Sequence, residues 1–179
     1  MARPTGRAIG PFWCHHPAWR VEAWESLVME LSDALAYARR ERNGILTTIK
    51  RDGRPQLSTV TYYVGDDDAL RVSLTDDRAK TRNMRRDPRI SLLVTAPDFY
   101  SYVVVEADAV LMPPASKPDD ATADALVTYY RALRGEHPDW DEYRAAMIAD
   151  RRLVLTIRPT YAYGMDLRTG GDPAATPAP

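Results

Sequence analysis

The chain has 179 residues, of which 45% are hydrophobic and 27% charged, fractions typical of one soluble globular domain with an apolar core. Its formal net charge of −1 at pH 7 gives no global attraction to nucleic acid or acidic lipid, so any anion site must come from local clustering. Cys14 is the only cysteine, which excludes an internal disulfide and a cysteine-built zinc site.

The sequence also predicts where the protein is located. No stretch approaches the roughly 18 apolar residues of a membrane span. Residues 1–20 lack the continuous apolar segment of a signal peptide. We therefore predict a cytoplasmic protein with no membrane partner, in keeping with its single thiol.

The first part of the chain predicts an irregular extension, a helix and a β-hairpin. Residues 1–20 are rich in proline, glycine and aromatic residues and show no periodicity. Residues 21–42 have apolar residues every three or four positions, the spacing of an amphipathic helix, and Asn43-Gly44 is a typical helix stop. The segments GILTTIK and QLSTVTYYV then flank Asp52-Gly53, which suits a hairpin turn with positive φ.

Alternation and capping signals define the remaining elements. Leu70, Val72 and Leu74 alternate with polar residues in a strand that follows the turn GDDD. The segment TDDRAKTRNMRRDPR predicts a short helix over about residues 77–86, capped by Asp76 or Asp77 and ended by the following proline. RISLLVTA and YSYVVVEADAVLM return to strands.

After the linker MPPASKP, a helix is predicted from Asp119 or Asp120 to about Arg134, then a shorter helix in DWDEYRAAMIA and two closing strands. Residues 170–179 lack apolar anchors, and we predict a disordered tail over residues 167–179. The fold class is therefore α+β, mainly β: six or seven antiparallel strands in a β-barrel over residues 21–166, with short peripheral helices.

The basic segment concentrates six cations in one stretch of a nearly neutral chain: Arg78, Lys80, Arg82, Arg85, Arg86 and Arg89. A solvated helix face and an anion socket both remain open. Positive side chains in a first turn oppose the helix dipole, and a bound anion would remove that cost. We expect Arg78, Lys80 and Arg82 to face the anion, with the later arginines directed to solvent or to carboxylates such as Asp87.

Other chemistries lack support in the sequence. The basic segment has no interleaved aromatics and lies close to five aspartates, which disfavours nucleic acid as a partner. CHHP does not give metal-ligand spacing, so we predict no metal. No nucleophile elbow, P-loop or dinucleotide-binding glycine motif is present. Tyr62, Tyr63, Tyr100 and Tyr102 are interpreted as core or cross-strand residues, with a pocket role left open.

Three segments resemble the pyridoxamine 5′-phosphate oxidase-like (PPOX class) split β-barrel flavoproteins: GILTTIKRDGRPQLSTVTYY, LRVSLTDDRAKTRNMRRDPRISLLV and YSYVVVEA. The motif RAKTRN-x-RRDPR resembles one that is characteristic of the actinobacterial branch that uses the deazaflavin coenzyme F420. The resemblance covers about residues 33–164. It implies a split β-barrel, a homodimer with the cofactor at the subunit interface, and F420 as cofactor, with FMN as the alternative.

The resemblance also implies site residues. Arg78, Ala79, Lys80 and Arg82 would hold the phosphate, and Ser73 ends the strand before them. The residues that border the deazaflavin would be Gln56, Ser58, Thr59 and Val60. The residues that reach the cofactor from the partner subunit would be Tyr100, Ser101 and Tyr102.

The implied function is an F420-dependent oxidoreductase that passes a hydride between F420 and a small organic substrate, such as one with a conjugated C=C bond. The alternatives are an FMN-binding reductase or oxidase of the same fold and a non-catalytic F420-binding carrier. No residue is marked as a proton donor, so the catalytic residues stay unassigned.

Overall fold

The computed structural model describes residues 27–97 and 99–167. The predicted extension over residues 1–20, the start of the predicted first helix, and all of the predicted tail except Leu167 lie outside these described residues.

The described part of the chain forms helices and strands in the order α1 (Leu31–Arg40), β1 (Asn43–Ile49), β2 (Pro55–Thr61), β3 (Tyr63–Val64), β4 (Leu70–Thr75), α2 (Ala79–Arg86), β5 (Arg89–Thr95), β6 (Tyr102–Leu111), α3 (Ala121–Arg134), α4 (Trp140–Ala149), β7 (Arg152–Ile157) and β8 (Tyr161–Met165). Within these residues, no helix has both the length and the apolar character needed to cross a bilayer.

The strands form one curled antiparallel sheet in the order β2-β1-β5-β6-β7-β4-β3, with β8 paired to β6. Strand β6 produces the curl because its first part pairs with β5 and β8, whereas residues 109–111 pair with β7. Strands β2 and β4 approach each other across the closing side, although they are not neighbours in the hydrogen-bonded order. The predicted α+β, mainly β, split barrel with short peripheral helices is confirmed.

The helix stop predicted at Asn43-Gly44 was wrong. Helix α1 already ends at Arg40, and both residues belong to β1. The glycine serves close strand packing instead, since a Cβ on Gly44 would lie 2.9 Å from the carbonyl oxygen of Leu93 and equally near the Leu92 side chain.

Three other local predictions are confirmed. Gly53 turns the first hairpin with φ of 81°. Helix α3 ends at Arg134 and is capped by Asp120, whose carboxylate accepts from the Ala123 N–H at 2.7 Å. Leu70, Val72 and Leu74 are all buried, as the alternation predicted.

The described residues form two apolar clusters. The larger lies inside the curled sheet and includes Tyr37 and Tyr62, both fully buried, which confirms the core interpretation of Tyr62. The smaller lies between α3, α4 and the face of β7 that carries Val154. Helices α3 and α4 therefore cover the outside of the sheet beside the split between β2 and β4.

A buried polar network holds α2 against the barrel. The Asn83 amide donates to Oγ1 of Thr48 at 3.1 Å, and that hydroxyl donates to Oε1 of Gln56 at 3.0 Å. Thr81 adds a hydrogen bond to the Thr75 carbonyl at 2.9 Å. Thr48 and Thr81 are fully buried, so these bonds fix α2 relative to β1, β2 and the end of β4.

We predict that Thr48→Val lowers the free energy of unfolding by about 1–3 kcal/mol, because it leaves the buried Asn83 amide and the Gln56 carbonyl oxygen without their shared partner. Thr47→Val is the matched control, since Thr47 is the preceding residue on the other face of β1. Urea unfolding measures both, and equal losses in the two variants would contradict the role of the network.

Candidate functional site: two adjacent cationic cavities

Helix α2 divides the basic segment into a buried side and a charged side. Thr81, Asn83 and Met84 are buried. Arg78 is the N-cap residue, no side chain caps the helix, and no acidic residue stands in its first turn. The cap predicted at Asp76 or Asp77 was therefore wrong, and the N-terminal N–H groups of α2 are left for another acceptor.

Asp76 instead pairs with two arginines, neither of which lies in the first turn of α2. It accepts hydrogen bonds from Arg85 and, at 2.6 Å, from Arg151. These two guanidinium groups, Arg85 first, hold the pKa of the Asp76 carboxyl below its usual value. Arg89 pairs in the same way with Asp87 through two bonds of 2.9 and 2.7 Å. For Arg85 and Arg89, the expected direction toward carboxylates is confirmed.

The N-terminus of α2 opens on a cavity of about 510 Å³, hereafter the first cavity. Its lining residues come from β2, β4, α2 and β7, and are Gln56, Ser73, Leu74, Thr75, Arg78, Ala79, Lys80 and Arg152. Five of the predicted site residues thus meet here. Of all the lining residues, three are cationic, Arg78, Lys80 and Arg152, and none is a carboxylate.

The surroundings of Lys80 in the first cavity disfavour its charged form. Burial, and secondarily the nearby Arg78 guanidinium, lower the pKa of the Lys80 ammonium below its usual value. Both effects disfavour the charged amine while no anion is near. An oxyanion in the cavity would reverse the second effect and would also accept from the free N–H groups of α2.

A second cavity of about 440 Å³ adjoins the first and shares Gln56 and Ala79 with it. Its lining residues are Lys50, Arg51, Asp52, Gln56, Ala79, Arg82, Asn83 and Arg86. Four of these are cationic, and the single carboxylate, Asp52, already accepts from Arg54 at 2.9 Å. The second cavity is therefore a separate basic site beside the first.

Arg82 lines this second cavity and is not among the residues of the first. Its guanidinium donates to the Asp77 carbonyl. The structure thus separates Arg82 from Arg78 and Lys80, which sequence spacing had grouped on one face. Arg86, expected to face solvent or a carboxylate, donates to the Ile49 carbonyl and borders the same second cavity.

The predicted residues of β2 split between its two faces. Ser58 pairs with Leu46 and lies on the inner face with Gln56. Its hydroxyl is buried and has no hydrogen-bond partner among the described residues. Thr59 is exposed on the opposite face and lines a third cavity of about 360 Å³ there. Val60 also borders that cavity, but its side chain is buried in the core on the inner face. Of the β2 residues, Gln56 lines the first cavity.

Tyr100, Ser101 and Tyr102 lie far from the first cavity within one chain. They follow the C-terminal end of β5, whereas α2 precedes its N-terminal end, and seven strand residues span roughly 20 Å. Tyr100 is 72% exposed, which contradicts a core role. Ser101 is buried, its carbonyl accepting from Tyr37 at 2.7 Å and its hydroxyl from the Leu167 N–H at 3.1 Å.

Sequence reasoning missed Arg152, Lys50 and Arg51. Lys50 and Arg51 flank the hairpin turn, where cations are ordinary surface residues. Arg152 starts β7 and reaches the site through its pairing with Thr75. No local pattern marks that pairing, because the two residues are far apart along the chain.

Residues 31–166 match the family model for pyridoxamine 5′-phosphate oxidase. The chain belongs to the pyridoxamine 5′-phosphate oxidase family. The matched region runs from α1 to β8, so it includes every residue that lines the two cationic cavities.

Solved structures of the same fold include a conserved hypothetical protein, Rv2991, from Mycobacterium tuberculosis, which is 24% identical with a TM-score of 0.62 over 82% of this chain and 95% of that one. An F420 reductase is 26% identical with a TM-score of 0.55 over 73% and 94%. A putative pyridoxamine 5′-phosphate oxidase from Listeria innocua is 17% identical with a TM-score of 0.53 over 75% and 97%.

The first cavity predicts an anion-dependent stability. Inorganic phosphate at about ten times its dissociation constant should raise the melting temperature by about 3–5 °C. Lys80→Met should remove most of this rise without lowering the melting temperature in phosphate-free buffer, because the lysine charge is already disfavoured there. Differential scanning fluorimetry measures the shift, with Lys117→Met, an exposed lysine before α3, as control. A full phosphate shift in Lys80→Met would exclude Lys80 from the site.

Proposed function

We propose that the protein is an F420-dependent oxidoreductase that passes a hydride between F420 and a small organic substrate, such as one with a conjugated C=C bond. The observation that carries the proposal is the pair of adjacent cationic cavities that share Gln56 and Ala79. F420 has a phosphodiester followed by glutamate carboxylates, whereas FMN ends in one phosphate. A second basic cavity beside the first suits the longer anion.

The residues present fit such a group at three places. In the first cavity, the N-terminus of α2, Arg78 and Lys80 provide donors for a phosphate. In the second, Lys50, Arg51 and Arg82 provide positive charge for carboxylates. Along β2, the unpartnered Ser58 hydroxyl can bind a polar edge of the ring system. The F420 reductase of the same fold supports this choice of cofactor.

When bound, F420 supplies the hydride chemistry at C5. The chain binds the phosphate, orients the ring beside β2 and limits access of water. The proposed protein contribution is therefore positioning and electrostatics, and solvent can supply the proton for the substrate.

We further propose a homodimer that brings Tyr100, Ser101 and Tyr102 of the second copy to the site. The outer face of strands β2, β1, β5, β6 and β8 supports it, because apolar side chains stand there in register. One row across this face has apolar residues at its two ends, Leu57 on β2 and Tyr161 on β8, which are 59% and 43% exposed, with Thr47, Ser91 and Glu106 between them. In the next row, Ile45, Leu93, Val104 and Tyr163 stand side by side, so the face has one apolar row bordered by exposed apolar residues, a surface of the kind that a second subunit covers.

The cofactor assignment is tested by the dissociation constants for F420 and FMN, measured by isothermal titration calorimetry. Wild-type protein should bind F420 more tightly. Lys80→Ala should weaken both ligands by about 1.5–3 kcal/mol, since each offers a phosphate to the first cavity. The double variant Arg51→Met/Arg82→Met should weaken F420 about tenfold and FMN little, because only F420 reaches the second cavity.

Arg134→Met, an exposed arginine at the end of α3, is the control for general loss of positive charge. Tight FMN binding without F420 binding would overturn the proposal and favour a flavin enzyme of the same fold. Catalysis is assayed as oxidation of reduced F420 by enones, quinones and nitroimidazoles. Binding of F420 with no turnover on any of them would favour a carrier.

The dimer is tested by Leu57→Lys, which places a charge on the apolar outer face and should shift the protein to monomer in sedimentation velocity. Val110→Lys is the matched control, because Val110 is 57% exposed but lies where β6 pairs with β7. Monomeric wild-type protein, or dimers in the Leu57 variant, would contradict the proposed interface.

A further inference from the structure

Arg152 lines the first cavity from β7, which is far along the chain from the basic segment of residues 75–89. It begins β7 and pairs with Thr75, the last residue of β4. Its side chain lines the first cavity, and its Nη1 lies 3.2 Å from the hydroxyl oxygen of Ser73. Arg78 and Lys80 line the same cavity from α2, so cations border it from two separate elements.

The hydrogen bonding of this guanidinium is incomplete. Its Nε is buried and has no hydrogen-bond partner among the described residues. The Oδ2 atom of Asp150 is 3.7 Å away, which is within ion-pair range but too long for a hydrogen bond. By contrast, Arg151, the preceding residue, bonds the Asp76 carboxylate at 2.6 Å. A buried N–H without an acceptor is costly unless a ligand completes it.

Helices α3 and α4 place two phenols close to the same guanidinium. Burial raises the pKa of Tyr143 to about 12 and also raises that of Tyr129, while the charge of Arg152 acts on both in the opposite direction. Tyr143 is buried and Tyr129 half-buried, so the two rings partly shield this side of Arg152 from water. Hydrogen bonds from a charged donor to an oxyanion are stronger in such surroundings.

We infer that Arg152 is a third cationic ligand of the first cavity and binds the anionic group of the cofactor from β7, across from Arg78 and Lys80. The inference rests on the proposed function for the identity of the cofactor, but the anion-binding role holds for any phosphate. A guanidinium presents paired N–H donors in a plane, which an ammonium does not. Lysine at this position should therefore replace Arg152 only in part.

The test compares Arg152→Met, Arg152→Lys and Arg158→Met, which removes an arginine just beyond the other end of β7 that pairs with Asp67 at 3.0 Å. Dissociation constants for F420, FMN and inorganic phosphate are measured by calorimetry, and melting temperatures without ligand by fluorimetry. We expect Arg152→Met to weaken all three ligands about tenfold or more, Arg152→Lys to weaken them severalfold, and Arg158→Met to leave them unchanged. Methionine keeps the apolar stem, so the unliganded melting temperature should stay within about 2 °C of wild type.

Wild-type affinities in Arg152→Met would overturn the inference and leave the proposed function intact. Wild-type protein that binds phosphate but not F420 would overturn the F420 assignment, and the phosphate measurements would still decide the role of Arg152. If Arg152→Met does not fold, Arg152→Lys decides: wild-type phosphate affinity at a wild-type melting temperature would contradict the inference, and weakened affinity would support it.

Discussion

The hydrogen bonds from Asn83 to Thr48 and from Thr48 to Gln56 fix the geometry on which the candidate site depends. They join a helix and two strands through the fully buried Thr48 hydroxyl, so losing that hydroxyl breaks both bonds at once. Helix α2 is short and strongly charged, and its isolated sequence would not be stable as a helix in water. Its buried polar side supplies the stability, and its other side is thereby free to hold charge.

Charge is distributed unequally around α2. Asp76 and Asp87 pair with arginines of the last turn and of neighbouring segments, whereas the first turn has no acidic residue. The nearest carboxylate to Arg78 is Asp77, at 4.0 Å and on an exposed surface. Such a pair contributes little. The electrostatic cost of the unliganded site is thus concentrated where an anion would remove it.

Patterns within a few residues predicted most of the fold, and contacts between distant residues determined what they missed. Alternation found β4, and Asp120 marked the start of α3, because each signal is local. The helix stop predicted at Asn43-Gly44 was wrong because close strand packing against Leu93, and not helix termination, requires the glycine. Five predicted residues meet in the first cavity, but Arg152 joins them only through strand pairing, and Tyr100 lies exposed beyond the far end of β5.

The split between β2 and β4 has a mechanical consequence. These strands approach each other without pairing, so the barrel lacks a backbone ladder on that side. Gln56 stands on one border and Ser73 on the other, and both line the first cavity. A ligand held there by groups from both strands would connect β2 to β4 across the split. Occupancy of this cavity should therefore stiffen the barrel as a whole, beyond its effect on the residues that touch the ligand.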